Sequence, residues 1–280
     1  MGNCFTHEEF FEHFNFLTPE LFRVLKPGRL LSFHCMQLPL SKERDGVIGL
    51  RDFRGDCIRA FQSVGFIFHS EVMIRKDPVA AMQRSKAIGL LHKQVVKDST
   101  ISRMALADYV VVMRKEGDNP EPVSGSFETY YGTDARADGA LMTDSAFKGR
   151  EWHKPGDPWF SIAVWQRYAE SVWLDIHQGD VLSRKDAREE ADEAHISPLQ
   201  LTVIRRCVDL WSNPGDVVFS PFAGIGSELY VALEMGRKAI GTELKPSYFD
   251  QAVKNCQAAA AMAVEDGKVM SLLDILEPTS

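Results

Sequence analysis

Asp216-Val217-Val218-Phe219-Ser220-Pro221-Phe222-Ala223-Gly224-Ile225-Gly226-Ser227 is the stretch that decides the fold. The turn Asn213-Pro214-Gly215 leads into it, and its first five residues read as a short apolar strand. The glycines read as a turn. Residues 228–235 read as a helix stopped by Gly236, and Lys238-Ala239-Ile240-Gly241-Thr242 as a second strand ending in Glu243. Glycines at such a strand-to-helix turn let a ligand approach the backbone where a side chain would block it. An acid at the tip of the next strand can accept two hydrogen bonds from ribose hydroxyls. The unit therefore suits a cofactor that contains adenosine. Two plainer readings stand beside it: Gly-x-Gly as a tight turn only, and Glu243 as an exposed strand-end acid. A dinucleotide fold calls for a third glycine three residues after Gly226; Leu229 stands there, which argues against a nicotinamide oxidoreductase.

The 280 residues, 45% of them hydrophobic, suffice for one substantial core. The net charge of −7 does not advertise nucleic-acid binding, so such contacts need a local basic surface. Residues 75–103 offer one: Arg75, Lys76, Arg84, Lys86, Lys93, Lys97 and Arg103 against only Asp77 and Asp98. A solvated basic helix face is the alternative. The five cysteines are odd in number and include no Cys-x-x-Cys pair. That disfavours structural zinc and a disulfide framework; no metal is expected, and a reducing cytoplasm is the simplest setting. No apolar stretch reaches membrane-spanning length, and the start lacks a signal-peptide pattern.

Thr6-His7-Glu8-Glu9 is a capping box, followed by Phe10, Phe11, Phe14, Leu17, Leu21, Phe22 and Leu25 at helical spacing. Pro19 is expected to kink or split this helix. Residues 30–36, 66–74 and 109–113 read as strands and 51–64 as a helix, with Asp77-Pro78 starting another. The alternation predicts a mostly parallel sheet. From residue 116 the texture turns to Gly, Pro, Asp and aromatics, which reads as an inserted recognition region or as a surface excursion. Residues 161–172 look helical. Ser197-Pro198 is expected to cap a helix carrying Leu199, Val203, Cys207, Leu210 and Trp211, and Pro246 to open a last helix to about residue 263.

Pro221-Phe222 ahead of the glycines resembles the S-adenosylmethionine site of DNA amino-methyltransferases, usually Asp-Pro-Phe-x-Gly-Ser-Gly-Thr; here Ser220 replaces the Asp and Ile225 the Ser. His195-Ile196-Ser197-Pro198-Leu199-Gln200 is similar to the segment bordering the methionine part of the cofactor, and Lys245-Pro246-Ser247-Tyr248-Phe249 to the close of the second strand. Phage and prophage members have stretches similar to Phe10-Phe11-Glu12-His13 and Arg23-Val24-Leu25-Lys26-Pro27-Gly28. The order of parts is that of the circularly permuted beta group, which modifies adenine N6 or cytosine N4.

The resemblance implies an α/β, Rossmann-like S-adenosylmethionine-dependent methyltransferase sheet. Its catalytic half would be residues 1–115, the target-recognition insert 116–160 and the cofactor half 161–280. It implies cofactor contacts at His195, Ser197, Pro198, Ser220, Pro221, Phe222, Ala223, Gly224, Gly226 and Ser227, with Glu243 on the ribose and Leu244 beside it. His195 has a packed histidine as its alternative, and Ser197 a helix cap. Double-stranded DNA is the implied partner. Arg84, Lys86, Lys93, Lys97 and Arg103 are candidates for its phosphates, and Arg150, Trp152, Lys154 and Trp159 for bases or grooves. The family's catalytic tetrapeptide, Asp/Asn/Ser-Pro-Pro-Tyr/Phe, has no counterpart, since no Pro-Pro pair occurs. It is expected upstream of Met1 together with a central strand, so no catalytic residue is assigned within these 280. On this reading the chain alone is poorly stable, or a missing segment or complementary subunit fills the slot. An inactive cofactor- or DNA-binding remnant, and a methyltransferase of RNA or small molecules, remain alternatives.

Overall fold

A computed structural model describes residues 4–79, 92, 96–100, 104–124, 160–183 and 198–265. The chain divides into two compact units, Met1–Glu121 with Glu170–Asp175, and Pro122–Ala169 with Ile176–Ser280. Among the described residues no helix is long and apolar enough to cross a membrane.

The first unit opens with α1 (His7–Val24). Glu9 N donates to the Thr6 hydroxyl at 3.0 Å, and the Glu9 carboxylate accepts from Phe5 N at 2.8 Å, so the expected cap forms. The helix is not split at Pro19 but runs through it. Buried Phe14 and Leu21, either side of the proline, pack into one apolar cluster and hold the helix across the missing hydrogen bond. β1 (Leu30–Met36), α3 (Phe53–Ser63) and β4 (Ile67–Ile74) follow; between β1 and α3 lies a small ribbon of β2 (Leu38–Leu40), α2 (Lys42–Asp45) and β3 (Gly49–Arg51). Phe61 of α3 meets Phe14 edge-on at 5.4 Å, and Phe33 of β1 stacks on it at 5.2 Å.

β5 (Asp108–Arg114) and β6 (Val172–Trp173) complete a four-stranded sheet in the order β1-β5-β4-β6. It is not mostly parallel, as the alternation predicted. β5 runs antiparallel to both β1 and β4, and only the β4–β6 pair is parallel. α3 does connect two strands of like direction, β1 and β4, but it leaves a slot between them that β5 enters from the other end. β5 is buried on both faces: Val110, Val111, Val112 and Met113 are all inaccessible or nearly so.

The second unit holds α4 (Phe160–Tyr168), α5 (Leu201–Trp211), β7 (Val217–Ser220), α6 (Ser227–Glu234), β8 (Lys238–Gly241) and α7 (Pro246–Glu265). β7 and β8 pair in parallel, Val217 opposite Lys238 through Ser220 opposite Gly241. α5 begins at Leu201 with Gln200, not Ser197, at its cap position and no side-chain cap bond there; Ser197 itself lies outside the described residues. Its first amides are served from a distance instead. Leu201 N donates to the Asp180 carbonyl and Thr202 N to the Asp180 carboxylate, both at 2.8 Å.

Arg237 fastens the far end of this unit. Its buried guanidinium donates to the Ser212 hydroxyl at 3.1 Å, to the Ser212 carbonyl at 2.7 Å and to the Met235 carbonyl at 2.7 Å. It thereby joins the ends of α5 and α6 at the entrance to β8. Arg237→Met is expected to lower stability by about 2–4 kcal/mol, because it strands buried acceptors. Urea denaturation would show the loss as a lower midpoint with an unchanged slope; a midpoint equal to wild type would refute it.

Candidate cofactor site

The tips of β7 and β8 are laced together by backbone bonds. Thr242 N donates to the Ser220 carbonyl at 3.1 Å, and Ala223 N to the Thr242 carbonyl at 2.9 Å. The Thr242 hydroxyl adds a bond to the Pro221 carbonyl at 2.7 Å. Gly226 N then closes the turn onto the Ala223 carbonyl at 2.7 Å, and Tyr230 N reaches back to the Gly226 carbonyl as α6 begins.

The two glycines do different work. Both have positive φ, 53° at Gly224 and 86° at Gly226. A methyl group added at Gly224 would meet nothing within 4 Å among the described residues, so this stretch of backbone is open on that side. One added at Gly226 would sit 3.1 Å from Cβ and 3.2 Å from Cα of Ala252 on α7. Gly226 thus serves close packing, and Gly224 leaves room for a ligand. The small residue that a dinucleotide fold would carry at position 229 is found instead on the strand. Leu229 leans on Gly241, whose added methyl would lie 2.7 Å from it.

Glu243 stands at the tip of β8. One carboxylate oxygen accepts from Gly224 N at 2.8 Å and the other from Lys245 N at 2.9 Å. Each oxygen keeps a further acceptor site, so the acid can still take hydroxyl donors while fixed to the turn. Phe222 and Leu244, two large apolar side chains flanking this open backbone, are 58% and 99% exposed. Ala223 and Ser227 are buried, as is Ser220 at the end of β7, while Pro221 and Pro198 are half-buried. A cavity of about 350 Å³ lies between α6, β8 and α7, lined among the described residues by Leu229, Leu233, Phe249, Val253 and Cys256, with Glu243 at its edge. Burial pushes the Cys256 thiol up, which keeps it protonated and apolar.

The structure therefore brings together Ser220, Pro221, Phe222, Ala223, Gly224, Gly226, Ser227, Glu243 and Leu244. His195 and Ser197 lie outside the described residues, as do Arg84, Lys86, Lys93, Arg103, Arg150, Trp152, Lys154 and Trp159. Lys97 is described and exposed. Lys76, counted in the basic segment, is committed to Asp108 at 2.6 Å. The sequence reading passed over Thr242, Ala252 and Asn255. Asn255 donates to the Ile225 carbonyl at 2.8 Å. Its only signal is a polar residue one helical turn after Gln251, on a helix otherwise running into alanines.

Residues 1–254 match the N6/N4 methyltransferase family, described as DNA methylase. Over 90 residues the chain is 32% identical to the DNA adenine methyltransferase YhdJ of Escherichia coli K12, which takes in 31% of each protein. Over 64 residues it is 38% identical to the type II methyltransferase M.Cfr9I of Citrobacter freundii, 23% of this chain and 21% of that one. The matched parts thus span less than a third of these curated relatives. Among solved structures, a candidate DNA modification methylase of Thermus thermophilus, complexed with S-adenosyl-L-methionine, superposes with a TM-score of 0.59 at 21% identity, over 91% of this chain and 79% of that one. The cytosine-N4-specific PvuII DNA methyltransferase gives 0.55 at 14% identity, over 95% and 80%. At those identities the likeness concerns the fold. The family match runs through both compact units and the whole of β7, α6 and β8, and on it the chain belongs to the N6/N4 DNA methylase family.

Proposed function

We propose that this chain transfers a methyl group from S-adenosylmethionine to an exocyclic amino nitrogen of double-stranded DNA, adenine N6 or cytosine N4. The observation that carries the reading is the open backbone at Gly224, with Glu243 fixed beside it, in a chain of the DNA methylase family. The chemistry of the β7 and β8 tips fits the cofactor. Glu243 would take the ribose hydroxyls, Phe222 and Leu244 would cover apolar surface, and the turn around Gly224 would admit the amino-acid part. When bound, the cofactor supplies an electrophilic methyl on its sulfonium. His195, Ser197 and Pro198 are assigned to the methionine side.

The target amino group is a poor nucleophile, because its lone pair is delocalised into the base. Acceptors must localise it, and the base must leave the duplex to meet them. No Pro-Pro tetrapeptide among these residues offers such acceptors. We infer that a preceding segment or a complementary subunit contributes it. β7 pairs only with β8 among the described residues, which leaves an edge where an added strand can bond. DNA contacts are assigned to exposed Lys97 and to Arg84, Lys86, Lys93, Arg103, Arg150, Trp152, Lys154 and Trp159. The recognition region is assigned to residues 116–160, between halves at 1–115 and 161–280. Five free thiols suit a cytoplasmic setting.

Titration calorimetry with S-adenosylhomocysteine and with NAD tests the cofactor, and methyl incorporation from labelled S-adenosylmethionine into duplex DNA tests the reaction. Binding of the first ligand alone is expected, together with incorporation once a segment carrying the tetrapeptide is supplied. Heat from NAD instead, or no loss of S-adenosylhomocysteine affinity in Glu243→Ala, would overturn the reading.

A further inference from the structure

The glycine turn is held from the α7 side as well as from β8. Gln251 Nε2 donates to Asn255 Oδ1 at 3.0 Å, and Asn255 Nδ2 donates to the Ile225 carbonyl at 2.8 Å. The two bonds fix which end of the Asn255 amide faces the turn, because its oxygen is already taken by Gln251. Ile225 sits between two left-handed glycines, the part of the chain with the most backbone freedom to lose. Its side chain is buried and its carbonyl is the one acceptor midway along the turn that α7 grips. Ala252, one turn earlier on the same helix face as Asn255, presses against Gly226. α7 starts at Pro246, directly after Lys245, whose N–H is tied to Glu243.

We propose that Asn255 is a positioning residue of the cofactor turn. By holding the Ile225 carbonyl it sets the peptide plane between Ile225 and Gly226. That plane aims Gly226 N at Ala223 and keeps the Gly224 backbone open toward the ligand. The helix that follows the acid-bearing tip is thus also the jig for the glycine turn, so one element sets both halves of the site. Asn255 acts through the turn and has no assigned contact with the reacting atoms. This inference rests on the cofactor reading above, but its mechanical half stands on the ligand-free protein.

Asn255→Asp keeps the shape of the side chain, removes the donor and sets a carboxylate against the Ile225 carbonyl. Calorimetry should show S-adenosylhomocysteine binding about tenfold weaker than in wild type, the equivalent of one lost charge-opposed hydrogen bond. Hydrogen exchange in the ligand-free protein should accelerate at residues 223–227 and stay at the wild-type rate along the rest of α7. A residue with a merely structural role would instead loosen α7 as a whole. Gln251→Ala, which frees the Asn255 amide to turn, should move both readouts the same way by less, and it decides the matter if Asn255→Asp fails to fold. Wild-type affinity together with wild-type exchange at residues 223–227 in these variants would overturn the proposal. If wild type itself does not bind S-adenosylhomocysteine, the cofactor reading falls and the exchange measurement alone decides whether Asn255 sets the turn.

Discussion

Gly226→Ala is expected to cost about 2–5 kcal/mol, while the same change at Gly224 costs only about 1–2 kcal/mol. The difference follows from what each added methyl would meet. Both positions are left-handed, so both substitutions carry the backbone penalty of an L residue there. At Gly226 the methyl must also displace Ala252 of α7, whose Cβ would be 3.1 Å away and whose Cα 3.2 Å. Neither is the end of a flexible side chain, so helix and turn must separate, adding about 1–3 kcal/mol. At Gly224 the methyl enters open space, but it is space a ligand would use. The two variants should therefore split by readout. Urea denaturation followed by tryptophan fluorescence should register Gly226→Ala as the larger loss. Titration with S-adenosylhomocysteine should find Gly224→Ala folded and impaired in binding. Equal urea midpoints for the two variants would mean that α7 does not press on the turn as described.

How far the sequence spoke depends on how local each signal is. The strand, turn and helix of residues 216–243 were legible because every boundary is marked by a residue with one backbone use, Gly215, Gly224, Gly226 and Gly236, all with positive φ. Helix α7 was legible from Pro246, and α1 from its capping pair. Strand direction was not legible. The apolar run at residues 109–113 announces burial on both faces, and burial does not depend on which way a strand runs. So β5 was expected in a parallel sheet when it lies antiparallel between β1 and β4. The cap of α5 failed for a related reason. Ser197-Pro198 is the nearest local signal, but Asp180, more than twenty residues before the helix begins, supplies the acceptors, and its carboxylate is useful only once the chain has folded back. The β2–β3 ribbon escaped because three-residue strands carry too few alternations to register. At the site, Glu243 and the glycines were read from motif spacing, whereas Asn255 and Ala252 matter through a packing contact that spacing along one helix does not reveal.

Asp108→Asn should produce the other large effect, a loss of about 3 kcal/mol at neutral pH that disappears in acid. Asp108 begins β5, opposite Met36 of β1 and Ile74 of β4, with its side chain only 3% exposed. One oxygen receives both His34 Nε2 at 3.0 Å and Lys76 Nζ at 2.6 Å. Burial by itself would raise the carboxyl's pKa, but hydrogen bonds and charge from His34 and Lys76 outweigh it and hold the group below the ordinary carboxylate range. A carboxylate depressed in the folded state adds stability that is fully present above its unfolded pKa, about 3.9, and is lost as pH falls through the folded value. The asparagine variant lacks that contribution at every pH and leaves the Lys76 ammonium without its anion and His34 without its carboxylate partner. Wild type and variant should therefore differ most in urea midpoint near pH 7 and start to converge only below about pH 4, as the pH falls toward the lowered pKa of the folded carboxyl. Lys76 belongs to the basic segment, and the pairing with Asp108 explains why that lysine is not free for phosphate while Lys97 is exposed. Convergence would mean that the ion pair dominates this end of the sheet. A gap that stays constant from pH 7 to pH 3 would instead assign the loss to packing around β5 and remove the electrostatic account.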